Sequence, residues 1–105
     1  MEMNEIMEFV TKEHDRQVTH HNLKGDPKTR YTMLAKLMEE LGELSEAILT
    51  SDSLQRSDKL GEKKEQLEGE FADVLLVTLI LAQELQIDAR GALERKITHI
   101  LARKY

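Results

Sequence analysis

Apolar residues recur three and four positions apart through most of the chain, the repeat of helices that each bury one face. The most regular stripe is Leu34, Leu37, Leu41, Leu44 and Ile48, which predicts a helix from residue 27 or 28 to about 49. Ahead of it, Ile6, Phe9, Val10 and the stretch from Glu13 to Gln17 predict a helix over 2 to about 19. Its apolar stripe is narrow, so it is expected to be peripheral or partly exposed. Gly25, Asp26 and the chain's single proline, Pro27, mark a break between the two. Residues 50–61 read as a polar loop, long enough to close over a site. Further helices are expected over about 62–86 and 89–104, with Asp88 as N-cap of the last. Ala89, Ala92, Leu93, Ile97, Ile100 and Leu101 share one face of it. Strand-like alternation and internal repeats are absent. The expected architecture is one all-α domain of four helices over residues 1–105.

The third helix carries an unusual stretch, Glu70-Phe71-Ala72-Asp73 followed by Val74 to Ala82, in which only Thr78 is polar. A run that is apolar all round reads as a helix covered on every side. Glu70 and Asp73, three apart, point the same way, and Asp73 enters surroundings where an unpaired charge is costly. A small domain buries only about two-thirds of its unfolded surface, so the cover is expected from a second copy, in a homodimer or a dimer of dimers.

Composition narrows the options. Cysteine is absent, which removes disulfides and thiolate zinc sites. The apolar run is shorter than the roughly 20 residues that span a bilayer, and the acidic N-terminus lacks the basic start and apolar core of a signal peptide; a soluble cytoplasmic protein is expected. Net charge is −5, with no basic run to release counterions from nucleic acid. Lys63-Lys64 is flanked by Glu62 and Glu65 and reads as a mixed surface patch. Tyr31 either caps the core or stacks on a base.

The acidic residues form two clusters. Glu39, Glu43 and Glu46 align on the second helix at about 100° per residue, with Glu40 at their edge. Alone they would read as a solvated face. The pairs Glu40-x-x-Glu43 and Glu70-x-x-Asp73 on consecutive long helices change that reading. Antiparallel packing would bring four carboxylates together, and hard oxygen donors select magnesium, with manganese as the alternative. Di-iron chemistry of the Glu-x-x-His type is disfavoured, because Thr11, Gln17, Val18 and Lys96 stand three before the histidines. His14, His20, His21 and His99 are expected at the surface or in loops, with His20 and His21 within reach of a ligand. Gly42, inside the second helix, suggests close approach by a neighbouring helix or ligand.

Lys36-Leu37-Met38-Glu39-Glu40-Leu41-Gly42-Glu43-Leu44, then Glu70-Phe71-Ala72-Asp73-Val74-Leu75, resembles the EExxE…ExxD signature of MazG-like nucleotide pyrophosphohydrolases. These belong to the all-α NTP pyrophosphatase superfamily. The similarity extends through Leu81 to Asp88 and on to Ala92 and Lys96, about residues 30–105. The resemblance implies a magnesium-dependent enzyme that splits a nucleoside triphosphate into monophosphate and pyrophosphate. It implies Glu40, Glu43, Glu70 and Asp73 as metal ligands. Glu39 would be a further ligand, an orienting group or a base for the attacking water, and Glu43 is a second catalytic candidate. Lys96, Arg103 and Lys36 would reach phosphates. The family's usual Lys…Asn…Arg-Tyr ending is not kept: Ile100 stands four after Lys96, and Lys104 separates Arg103 from Tyr105. The usual sugar or base contact is therefore not carried over. Phosphoribosyl-ATP pyrophosphohydrolase and a non-catalytic helical interaction module remain as alternatives.

Overall fold

The structure, a computed structural model, describes residues 1–53 and 60–103, with side chains described through Thr50 and again from Lys63. Four helices run in the order α1 (Met3–His20), α2 (Thr29–Ser53), α3 (Leu60–Glu84) and α4 (Ala89–Leu101), with no strand among the described residues. Of the loop expected over 50–61, residues 54–59 lie outside the described residues, and the rest is helix, since α2 runs to Ser53 and α3 starts at Leu60.

The breaks have local causes. After α1, Asn22 and Gly25 adopt positive φ (57° and 78°), the backbone region where glycine is at ease and Asn is tolerated. Asp26 Oδ1 accepts from the Lys28 N–H at 2.8 Å, an Asx turn that leads into α2. The buried Thr29 hydroxyl donates to the Leu23 carbonyl at 2.8 Å and ties the turn back on itself. Gln86, also at positive φ, ends the reach of α3. Asp88 Oδ1 then accepts from the Gly91 N–H at 3.1 Å, as a cap should.

Helix α3 is the hub, packing on α2 along most of its length, on α1, and on α4. The α2–α3 pair is antiparallel: Met33 and Lys36 meet Val77 and Ile80 at one end, and Ala47 and Thr50 meet Lys63 and Gln66 at the other. The core is Val10, Val18, Met33 and Ile80, with Leu23, Leu76, Leu79 and Leu81 packed against it. Helix α1 is partly exposed, as expected, but its buried face is central to the fold. Two valines two turns apart, a stripe too narrow to stand out in the sequence, plug the centre of the fold.

The α2 stripe splits. Met33 and Leu44 are buried and Leu37 half-buried, while Leu34, Leu41 and Ile48 stay exposed. The seam toward α3 is Met33, Leu37, Glu40, Leu44 and Ala47, one of the two phases that a 3-4 repeat permits. Nor is the apolar run of α3 enclosed: Ile80 is buried, but Phe71 and Leu75 are exposed, Leu75 to 62%. The chain exposes 8566 Å² and has a radius of gyration of 16.8 Å, against roughly 6,000 Å² and about 13 Å for a compact chain of this size. Tyr31 is exposed and caps no core. Among the described residues, no helix is long and apolar enough to cross a membrane.

Candidate active site

Where α2 and α3 lie side by side, a seam position goes to Glu40, which is only 7% exposed. It is the buried member of its cluster and not its edge, because the seam runs in the phase of Met33 and Leu44. Glu43, one turn further, is exposed, and Glu70 reaches across half-buried from α3. One carboxylate oxygen from each of Glu40, Glu43 and Glu70 lies within 4.8 Å of the others.

Hydrogen bonding leaves this group unsatisfied. Lys36 Nζ donates to Glu40 Oε1 at 3.1 Å and lies 3.7 Å from Glu39 Oε2. Glu40 Oε2 and Glu70 Oε2 are both buried without a partner. Buried carboxylate oxygens in that state are strongly unfavourable, and two in one cluster repel each other. The mutual repulsion shows in Glu43, whose carboxyl is raised above its ordinary 4.5 by the charge of Glu40 first, then by desolvation and by Glu70. Lys36 is raised by its hydrogen bond to Glu40. Orphaned oxygens, an all-carboxylate donor set and the closeness of the three acids all fit a hard divalent cation. Glu40, Glu43 and Glu70 could hold it.

The remaining candidates fall around this group unevenly. Asp73 is exposed and outside it. The buried surroundings expected for Asp73 are not there within one chain, since that side of α3 is open. Glu39 is exposed at the edge, beside Lys36. Glu46 is exposed and lines a cavity with Glu43 and Glu70. Lys36 is a counterion of the acids in this arrangement. Lys96 and Arg103, on and just after α4, are exposed and line neither cavity beside the cluster. Around Gly42 a Cβ would meet nothing within 4 Å, so no neighbour approaches closely within the chain.

Two cavities flank the acids. The first, about 350 Å³, runs along the α2–α3 groove past Glu43 and Glu70 and ends at Thr50, Lys63 and Gln66. The second, about 280 Å³, lies beyond Lys36 and is mostly apolar, with Val18, Met33, Val77 and Ile80 in its walls and Gln17 and His21 from α1 and its end at the rim. His21 is thus near a ligand-sized space. His14 departs from the surface position expected of it: half-buried, its Nε2 lies 2.9 Å from Glu84 Oε1 and joins α1 to the end of α3. Lys63 was not legible as a site residue, because Glu62 and Glu65 disguise it. Its spacing of seven from Glu70, which repeats a helix face, was the available signal.

A family model described as the MazG nucleotide pyrophosphohydrolase domain matches residues 28–104. Neither a curated protein nor a solved structure matches the chain.

Proposed function

The chain belongs to the MazG nucleotide pyrophosphohydrolase family, and from that premise we propose that it converts a nucleoside or deoxynucleoside triphosphate and water to the monophosphate and pyrophosphate, with magnesium, or manganese in its place. The observation that carries this reading is that Glu40 and Glu70, grouped at the α2–α3 seam, each keep a buried oxygen without a partner.

In this reading Glu40, Glu43 and Glu70 would hold the cation, with Asp73, exposed one turn further along α3, as the fourth acid of the set. When bound, the cation neutralises phosphate oxygens and lowers the pKa of a coordinated water. The chain's own groups do the rest. Water oxygen attacks the α-phosphorus, the bond to the bridging oxygen breaks, and pyrophosphate departs. The proton lost by water goes to a carboxylate. Glu39, exposed beside Lys36 at the edge of the cluster, and Glu43 are the two exposed acids placed to take it. Lys36, tied to Glu40, orients that acid and turns to phosphate when the acids take up other positive charge.

A second copy completes the molecule. Its role is supported by the exposed apolar residues of α2, α3 and α4; a homodimer or dimer of dimers follows. Lys96 and Arg103 line neither cavity in their own chain, so they would meet phosphate across the subunit boundary.

The deciding experiment is a panel of ordinary and modified nucleoside triphosphates with phosphoribosyl-ATP, assayed with and without magnesium for monophosphate and pyrophosphate. Metal-dependent release of both products is expected. No turnover anywhere on the panel would leave a helical interaction module, and turnover of phosphoribosyl-ATP alone would move the enzyme to that reaction.

A further inference from the structure

Among the described residues, Lys63 is the one basic side chain that lines the cavity holding Glu43 and Glu70. It is half-buried there, yet no carboxylate of the described residues lies within ion-pair distance of it, although Glu43, Glu46 and Glu70 line the same walls. Lys36, by contrast, is tied to Glu39 and Glu40. An ammonium group placed in an acidic cavity but left unpaired is free to meet an anion brought in by a ligand.

We propose that Lys63 anchors the terminal phosphates of the substrate, so that pyrophosphate leaves on the Lys63 side and the nucleoside lies toward the second cavity. This rests on the reading of the site given above. Lys63, Gln66 and Glu70 follow one another at three and four residues, on one face of α3. Two turns, roughly 10 Å along the axis, separate Lys63 from Glu70, and the flexible four-carbon stem of lysine can span part of that distance. The ammonium therefore serves phosphate beyond the one that faces the acids. Thr50 and Gln66, at the same end of the cavity, add uncharged donors. The opposite cavity has the contrary character: Val18, Met33, Val77 and Ile80 suit a flat ring system, and Gln17 and His21 supply polar contacts at its rim. A ligand with a charged tail and an apolar head has one favourable direction across Glu40.

The test is calorimetric binding of inorganic pyrophosphate, at saturating magnesium, to the wild type, Lys63→Gln and Lys63→Arg. Turnover of a nucleoside triphosphate and the matching diphosphate is measured beside it. Lys63→Gln is expected to bind pyrophosphate about tenfold more weakly, the loss of one charge-assisted contact, and to lose preference for triphosphate over diphosphate. Lys63→Arg should retain most of both, and the magnesium-induced rise in melting temperature should persist in each variant. Unchanged pyrophosphate affinity in Lys63→Gln, an equal loss in Lys63→Arg, or a wild type that binds no pyrophosphate would each overturn the assignment. A wild type that binds pyrophosphate through Lys63 but hydrolyses no nucleotide would keep the anchor and discard the enzymatic reading.

Discussion

Glu40 stands where a helix seam would ordinarily hold a leucine, flanked along α2 by the buried Met33 and Leu44. Its Oε2 has no partner, so the position is unfavourable for folding and explicable by ligand binding. Glu40→Gln should lower turnover at least about a hundredfold, the scale on which removing a charge-stabilising group acts. It should leave the helical circular dichroism signal and the metal-free melting temperature at or above wild type, while abolishing the rise caused by magnesium. Retained turnover would remove Glu40 from the chemistry. Glu43 makes a pH prediction. Its raised carboxyl means that the folded chain holds a proton there more tightly than the unfolded one. That contribution favours folding below the ordinary value of 4.5 and is lost as pH rises through the higher, folded value. Without metal, Glu43→Gln should therefore gain melting temperature relative to wild type as pH is raised from 4.5 toward neutrality, and magnesium should erase the gain. A difference that shrinks with pH would contradict the repulsion. The spacing brought Glu40, Glu43 and Glu70 into view together, while Asp73, the fourth acid of the two pairs, stands outside the group. Which carboxylate is buried was not legible, because a 3-4 repeat such as Leu34 to Ile48 allows two seam phases, and only the position of α3 chooses between them.

At the scale of elements, α1 matters more than its composition suggests. It precedes the family match, which starts at residue 28, yet it supplies Val10 and Val18 to the core and the Gln17 rim of the second cavity. Its attachment to α3 includes the His14–Glu84 contact at 2.9 Å, with both side chains about four-fifths buried. His14→Ala should cost about 1 kcal/mol, a drop in melting temperature of roughly 4–8 °C for a domain of this size, measured by thermal unfolding. A shift under a degree would mean that the valines alone hold α1. Helix boundaries were readable to within a few residues, because Asp88, Gly25 and Pro27 act locally. The partners of each helix were not. A narrow stripe such as Val10 and Val18 records that a surface is buried, but not that it meets Ile80.

At the scale of the whole molecule, much apolar surface is left open. Leu75, Leu93, Ile97 and Leu101 are exposed on α3 and α4, Leu101 to 80%, and exposed apolar area on this scale marks an interaction surface. Analytical ultracentrifugation at micromolar concentration should give a dimer or a tetramer. Leu75→Glu, which places a charge on the open side of α3, should shift it toward monomer. A wild-type monomer under those conditions would remove the second copy from the picture. The all-round apolar character of residues 74–82 was legible in the sequence; the exposed faces of α2 and α4 became visible only once α3 had taken one side of each.

Gly42 and Gly69 are exposed with vacant space around the missing Cβ, and each directly precedes an acid of the cluster, Glu43 and Glu70. Bare backbone of this kind lets another helix settle close beside the clustered carboxylates. Assembly and turnover would then share a wall, and rate per mole of chain should decline on dilution well before any helix melts.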